Sequence, residues 1–140
     1  MSTLIEQVKE FYRVFNSYSS EHLSGLYHPQ VTFTDPVHQI QGIDALDSYL
    51  RAGLANVTEC RFAFHGDLVT PGRAALPWTM TFAHPKLNKG ELITVPGLSL
   101  LEFDTKILAQ QDFYDMGAMV YEQVPILRSV VRSIRHRMQS

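Results

Sequence analysis

The chain has 140 residues, 45% apolar and 19% charged, enough for a single domain around one core. No apolar run approaches the roughly 20 residues that cross a bilayer, the first residues lack a basic-then-apolar leader, and the lone Cys60 can form no internal disulfide, so a cytoplasmic location is expected. The net charge of −2 is divided: residues 1–115 carry 8 basic and 13 acidic side chains and residues 116–140 carry 4 and 1, so the body lacks the clustered Lys and Arg of a nucleic-acid surface.

In chain order, Thr3-Leu4-Ile5-Glu6 forms a capping box ahead of Leu4, Val8, Phe11, Phe15 and Tyr18, spaced three and four apart, which predicts an amphipathic helix. Ser19-Ser20-Glu21 caps a short second helix through Leu23, Leu26 and Tyr27, ended by Pro29. A brief strand, Val31 to Thr34, leads into the loop Asp35-Pro36-Val37-His38; Gly42 then opens a third helix with Ile43, Leu46, Tyr49, Leu50 and Leu54 on one face.

From Val57 the period falls to two. In the segment Ala74 to His84, Leu76, Trp78, Met80, Phe82 and His84 alternate with small or polar residues, which predicts a strand with one bulky face. Asn88-Lys89-Gly90 turns the chain into a strand over residues 91–103, in which Pro96-Gly97 predicts a bulge or sharp bend. Asp104-Thr105 forms a tight turn into a last strand, residues 106–115. The tail places Val120, Val124, Leu127, Val131, Ile134 and Met138 on one helical stripe flanked by arginines, which suits packing on the sheet or on a second subunit. A basic amphipathic helix of this kind can also lie on an anionic membrane, the less favoured reading.

Helices followed by a meander of long strands imply an α+β domain. This order, with Val31-Thr32-Phe33-Thr34-Asp35-Pro36-Val37 before Gly42 and a helix, resembles the NTF2-like superfamily, and within it the SnoaL-like proteins and ketosteroid isomerases. The last strand, Gln110-Gln111-Asp112-Phe113-Tyr114-Asp115, is similar to that of SnoaL-like proteins. The resemblance implies a single domain over residues 1–140: a cone in which a strongly curved antiparallel sheet wraps the N-terminal helices, with residues 117–140 as a helical extension.

It also implies that Asp35 is the general base. By alignment without gaps the isomerases' oxyanion tyrosine falls on Phe11 and their companion carboxyl on Ser99. Loss of one such donor costs about 100- to 1000-fold in rate, so a standard ketosteroid isomerase is not expected. The Asp, Arg, Asp trio of limonene-epoxide-hydrolase relatives is also missing, since the strand Ala74 to His84 supplies no arginine.

Inside such a cone, Asp35, Asp112, His38 and Tyr114 are the candidate acid, base and orienting groups, because paired carboxyls in an apolar cavity repel, lose solvation and shift toward neutral pH. Phe11, Phe15, Tyr27, Tyr49, Trp78, Met80, Phe82, Ser99 and Gln110 are the candidate ligand contacts. The plainer accounts are an Asx turn for Asp35, a solvent-side strand position for Asp112 and a solvated loop for His38.

No histidine or cysteine spacing suggests a metal, and no phosphate loop or nucleophile elbow is present, so neither metal nor cofactor is expected. The functional expectation is a small apolar ligand in the cone, handled by cofactor-free acid–base chemistry of isomerase, cyclase or hydrolase type. The alternative is a non-catalytic binding module, or a homodimeric interaction module paired through the sheet.

Overall fold

In the computed structural model, which describes residues 3–15, 18–55, 57–119 and 125–139, Thr3 opens the first helix α1 (Leu4–Arg13) with a reciprocal cap. The Thr3 hydroxyl accepts from the Glu6 amide at 3.2 Å and the Glu6 carboxylate accepts from the Thr3 amide at 3.1 Å. Ser19 caps α2 (Ser20–Leu26). This helix stops earlier than expected: Tyr27 is extended and begins strand β1 (Tyr27–Thr34), so Pro29 sits in a strand. There the pairing with the neighbouring strand is irregular, which accommodates a residue with no amide hydrogen.

β2 (Gln39–Gln41) folds back on β1, and α3 (Ile43–Ala55) follows Gly42, whose φ of +90° suits glycine. The remaining strands are β3 (Glu59–Phe64), β4 (Leu68–Thr70), β5 (Arg73–Ala83), β6 (Ile93–Phe103) and β7 (Ile107–Tyr114). A short turn of helix, Asn88–Gly90, links β5 to β6. The helices α4 (Met116–Met119) and α5 (Pro125–Gln139) close the order.

Seven strands form one sheet in the order β2-β1-β7-β6-β5-β3, with β4 paired to β5. The sheet is not antiparallel throughout, as expected from the meander, but mixed: β1 runs parallel to β7. The cause is topological, because β1 comes from the helical half of the chain and reaches the meander only through its last strand.

Helices α1 and α3 pack over the concave face, and the side chains between them and the sheet form one core, with Val8, Leu23, Val31, Leu46, Leu76, Val95, Leu101 and Ile107 fully buried. The outward face of the sheet leaves Leu100 and Phe113 partly exposed.

The predicted bulge at Pro96-Gly97 is absent. The β5–β6 register runs unbroken through Thr79↔Pro96 and Trp78↔Gly97, and the only irregularity between β6 and β7 lies at Glu102/Phe103. Pro96 is tolerated because β7 begins pairing only at Gly97, which leaves β6 an edge on that side. Gly97 serves packing instead: a Cβ there would lie 2.1 Å from the Trp78 ring. Of the predicted stripe in α5, Ile134 and Met138 are exposed, so the sheet does not cover it at these positions, and Val120 and Val124 lie outside the described residues. No helix among the described residues is long and apolar enough to cross a membrane.

Candidate functional site

Alternation along β5 turns Trp78, Met80 and Phe82 toward the helices, and the phase of β7 turns Gln110, Asp112 and Tyr114 the same way. With α1 and α3 above them, these side chains enclose a cavity of about 300 Å³. Its wall holds Phe15, Tyr49, Trp78, Met80, Phe82, Asp35, Asp112 and Tyr114 from the residues singled out in the sequence, together with Tyr12, Phe33, Phe62, Cys60 and His84. Burial among apolar neighbours pushes the Cys60 thiol up to about 11, so it stays protonated. Among the described residues, no group of three His, Cys, Asp or Glu side chains could hold a metal ion.

Phe11 is not in this wall. It lines a separate groove between α1 and α2 with Val14, Tyr18 and Glu21, and the next residue, Tyr12, about 100° further round the helix, faces the cavity. Ungapped alignment thus misses by one position the helix residue that carries a hydroxyl to the site.

Tyr27, Ser99 and Gln110 do not line the cavity but stand behind it, each nearly inaccessible, in a continuous hydrogen-bonded chain. Tyr27 donates to Gln110 Oε1 at 2.5 Å, and Gln110 Nε2 donates to Asp112 Oδ1 at 3.0 Å. The Tyr12 and Tyr27 hydroxyls are 2.7 Å apart; since the single Tyr27 proton is spent on Gln110, Tyr12 is the donor of that pair. From the other side Trp78 Nε1 donates to Ser99 Oγ at 2.8 Å, and Ser99 donates to Asp112 Oδ1 at 2.6 Å.

Two donors therefore fix Oδ1 of Asp112, and Oδ2 is left for an occupant of the cavity. Burial, with the negative charge of Asp35 adding to it, pushes this carboxyl up to about 6, while the Ser99 and Gln110 bonds act against the rise. Removing one of those donors should let it climb further. Ser99→Ala is accordingly expected to raise the Asp112 midpoint by about one pH unit, read from the pH dependence of Trp78 fluorescence, the chain's single tryptophan; an unmoved or lowered midpoint would contradict the assignment.

Asp35 is held differently. Its Oδ1 accepts the backbone amides of Val37 at 2.9 Å and His38 at 2.7 Å, an Asx turn, and its Oδ2 accepts the Tyr49 hydroxyl. The side chain is 3% exposed. It thus combines the turn and the cavity role that the sequence posed as alternatives. His38 lies outside the wall, half exposed, with Nδ1 3.8 Å from Asp35 Oδ1 and its ring against Tyr49. Tyr114 stands by both carboxyls; burial and their charges push its phenol up to about 12, so it keeps its proton and can donate. The Tyr49 phenol is raised as well, by burial first and then by its bond to Asp35.

The arrangement, with hydroxyls and two carboxyls gathered in an otherwise apolar wall, can be compared with known proteins. Residues 8–110 match the model of the SnoaL-like domain family. No curated protein matches the chain. Among solved structures, an NTF2-like protein of unknown function from Burkholderia pseudomallei superposes with a TM-score of 0.75 at 18% identity, covering 89% of this chain and 99% of that one. A Catenulispora acidiphila protein of ketosteroid isomerase-like fold, solved with trimethylamine, gives a TM-score of 0.74 at 15% identity over 87% of this chain and 93% of its own. A Shewanella denitrificans protein, described provisionally as a SnoaL-like polyketide cyclase, gives 0.72 at 18% over 86% and 96%. At these identities the likeness is one of fold, but the family model spans most of the chain. The chain belongs to the SnoaL-like domain family and has the NTF2-like α+β fold.

Proposed function

We propose that the protein binds a small, mainly apolar carbonyl compound in the cone and moves a proton on it without a cofactor, with Asp112 as the proton-exchanging group. The observation that carries this reading is the placing of Asp112, Asp35, Tyr49 and Tyr114 on one cavity whose remaining wall is almost wholly apolar. The known structure of the Catenulispora acidiphila relative with trimethylamine supports a fold that holds small molecules, and the provisional cyclase description of the Shewanella denitrificans relative supports the class of chemistry.

In this reading Oδ2 of Asp112 takes a proton from the carbon next to the carbonyl. The C–H bond breaks, an O–H bond forms on the carboxyl, and the enolate oxygen accepts a hydrogen bond from Tyr114. Return of the proton to the same or another carbon completes an exchange or an isomerisation. Asp35, with its bonds to Val37, His38 and Tyr49 in place, holds the Tyr49 hydroxyl and raises the proton affinity of Asp112 by its charge. The general-base role expected of Asp35 thus passes to Asp112, whose Oδ2 is the less committed oxygen.

The test is 2-tetralone in deuterated buffer, followed by proton NMR. The protein is expected to speed exchange of the hydrogens beside the carbonyl, and Asp112→Asn to return the rate to background. Unchanged exchange in that variant would remove Asp112 from the role. Ligand binding that quenches Trp78 without any exchange would favour the non-catalytic binding module instead.

A further inference from the structure

The charge of the cavity is unbalanced. Two of its eighteen lining residues are carboxylic acids, none is Lys or Arg, and eight are Phe, Tyr or Trp. Elsewhere the chain pairs its partly buried acids with cations: Lys9 with Asp67 at 2.5 Å and Arg51 with Asp47 at 3.2 Å. Among the described residues Asp112 is bonded by the neutral donors Ser99 and Gln110, and the basic group beside Asp35 is the His38 imidazole, 3.8 Å away and outside the wall. Taking an ionised carboxylate out of water costs several kcal/mol unless an opposite charge accompanies it. Aromatic faces lined up around a cavity attract cations within about 6 Å of a ring centre, and an organic ammonium ion loses less hydration on entering than a metal ion does.

We propose that the natural occupant of the cavity is an apolar cation, a protonated tertiary amine or a quaternary ammonium ion, seated against the faces of Trp78, Tyr49 and Tyr114 with its charge toward Asp35 and Asp112. The proposal rests on the reading of this cavity as the ligand site and holds whether or not Asp112 then moves a proton; a carbonyl compound that also carries an ammonium group satisfies both. It excludes carboxylates and phosphates as occupants, because either would meet two carboxyl groups and neither Lys nor Arg among the lining residues.

A pair of probes of equal shape isolates the charge. Benzyltrimethylammonium and neopentylbenzene differ only in the central quaternary atom, nitrogen against carbon, and both can be titrated against Trp78 fluorescence in the intact protein. The groups that face Asp112 are Asp35 at the end of β1, Tyr12 of α1, Tyr27 of β1, Tyr49 of α3 and Tyr114 of β7, and His84 lies further along β5. The tyrosines keep their protons at neutral pH and add no charge there.

At pH 7.5 the cation is expected to bind at least tenfold more tightly than its neutral isostere, and the preference to shrink at pH 5 and in Asp112→Asn, with Asp35→Asn as a second variant. Equal affinities for the two probes at pH 7.5 would overturn the cationic assignment and leave the cavity as a ligand site. Failure of both probes to bind would overturn the reading of the cavity itself, and this proposal with it.

Discussion

Asp112→Asn is expected to lower carbonyl proton exchange by about 100- to 10,000-fold, the usual contribution of a positioned acid or base, while making the protein more stable at alkaline pH. The two effects have one origin. The native carboxyl is pushed up to about 6 from an ordinary value of 3.8, so between these values the folded chain holds a proton that the unfolded chain has lost. Stability therefore falls as pH rises across that window: the cost is absent below the unfolded value and fully present above the folded one. At about 1.4 kcal/mol per unit, and allowing for partial access through the cavity, the ionised group costs on the order of 2 kcal/mol.

Asparagine keeps the same size, and its Oδ1 can still accept from Ser99 and Gln110, so the variant should recover that amount at pH 8 and nothing at pH 3.5. Denaturant unfolding at the two pH values measures it. A variant less stable than the parent at pH 8 would show that the charge is already compensated.

The second large effect is expected at Gly97, where alanine should destabilise the fold by about 3 kcal/mol and lower the melting temperature by roughly 10 °C. Gly97 lies between Trp78 on β5 and Tyr114 on β7 in the sheet register. Strands two apart are separated by about 10 Å, yet the rings of Trp78 and Tyr114 approach to 6.4 Å between centroids because the residue between them has no side chain. A Cβ would stand 2.1, 2.4 and 2.5 Å from three atoms of the indole.

The indole cannot easily give way. It is buried, packed edge-on against Phe62 and held through Nε1 by Ser99, so displacing it breaks the chain that ends on Asp112. In a Trp78→Leu background the same alanine should cost under 1 kcal/mol; an equal loss in both backgrounds would place the strain in the backbone rather than against the ring.

Much of this arrangement is readable from residue order and much is not, for physical reasons. The period of β5 places Trp78, Met80 and Phe82 inward and the period of β7 does the same for Asp112 and Tyr114, since alternation allows only two faces and the bulky one must be covered. Asp35 was legible as a turn and as a cavity carboxyl separately, and only the structure makes it both. The difference between Phe11 and Tyr12 is a single helical step, which pattern alone resolves poorly when both residues are aromatic and both are buried.

The chain through Tyr27, Gln110 and Asp112 was not legible as a chain. It joins residues 83 apart through the parallel β1–β7 pairing, a contact with no local signature. Tyr27 left no trace of its own: the pattern carries the helix through it up to Pro29, whereas the strand already begins there. Gly97 misled for a similar reason: a glycine in a strand signals either a bend or a close approach, and only the identity of its cross-strand neighbour, Trp78, decides between them.

Asp112 is proposed as a buried carboxyl that exchanges a proton with an occupant of the cone. Its most direct test is a carboxyl-carbon NMR titration of the intact protein, with Asp112→Asn to assign the signal. A midpoint near 6 is expected. A midpoint near 4, the ordinary range of a solvated aspartate, would contradict it.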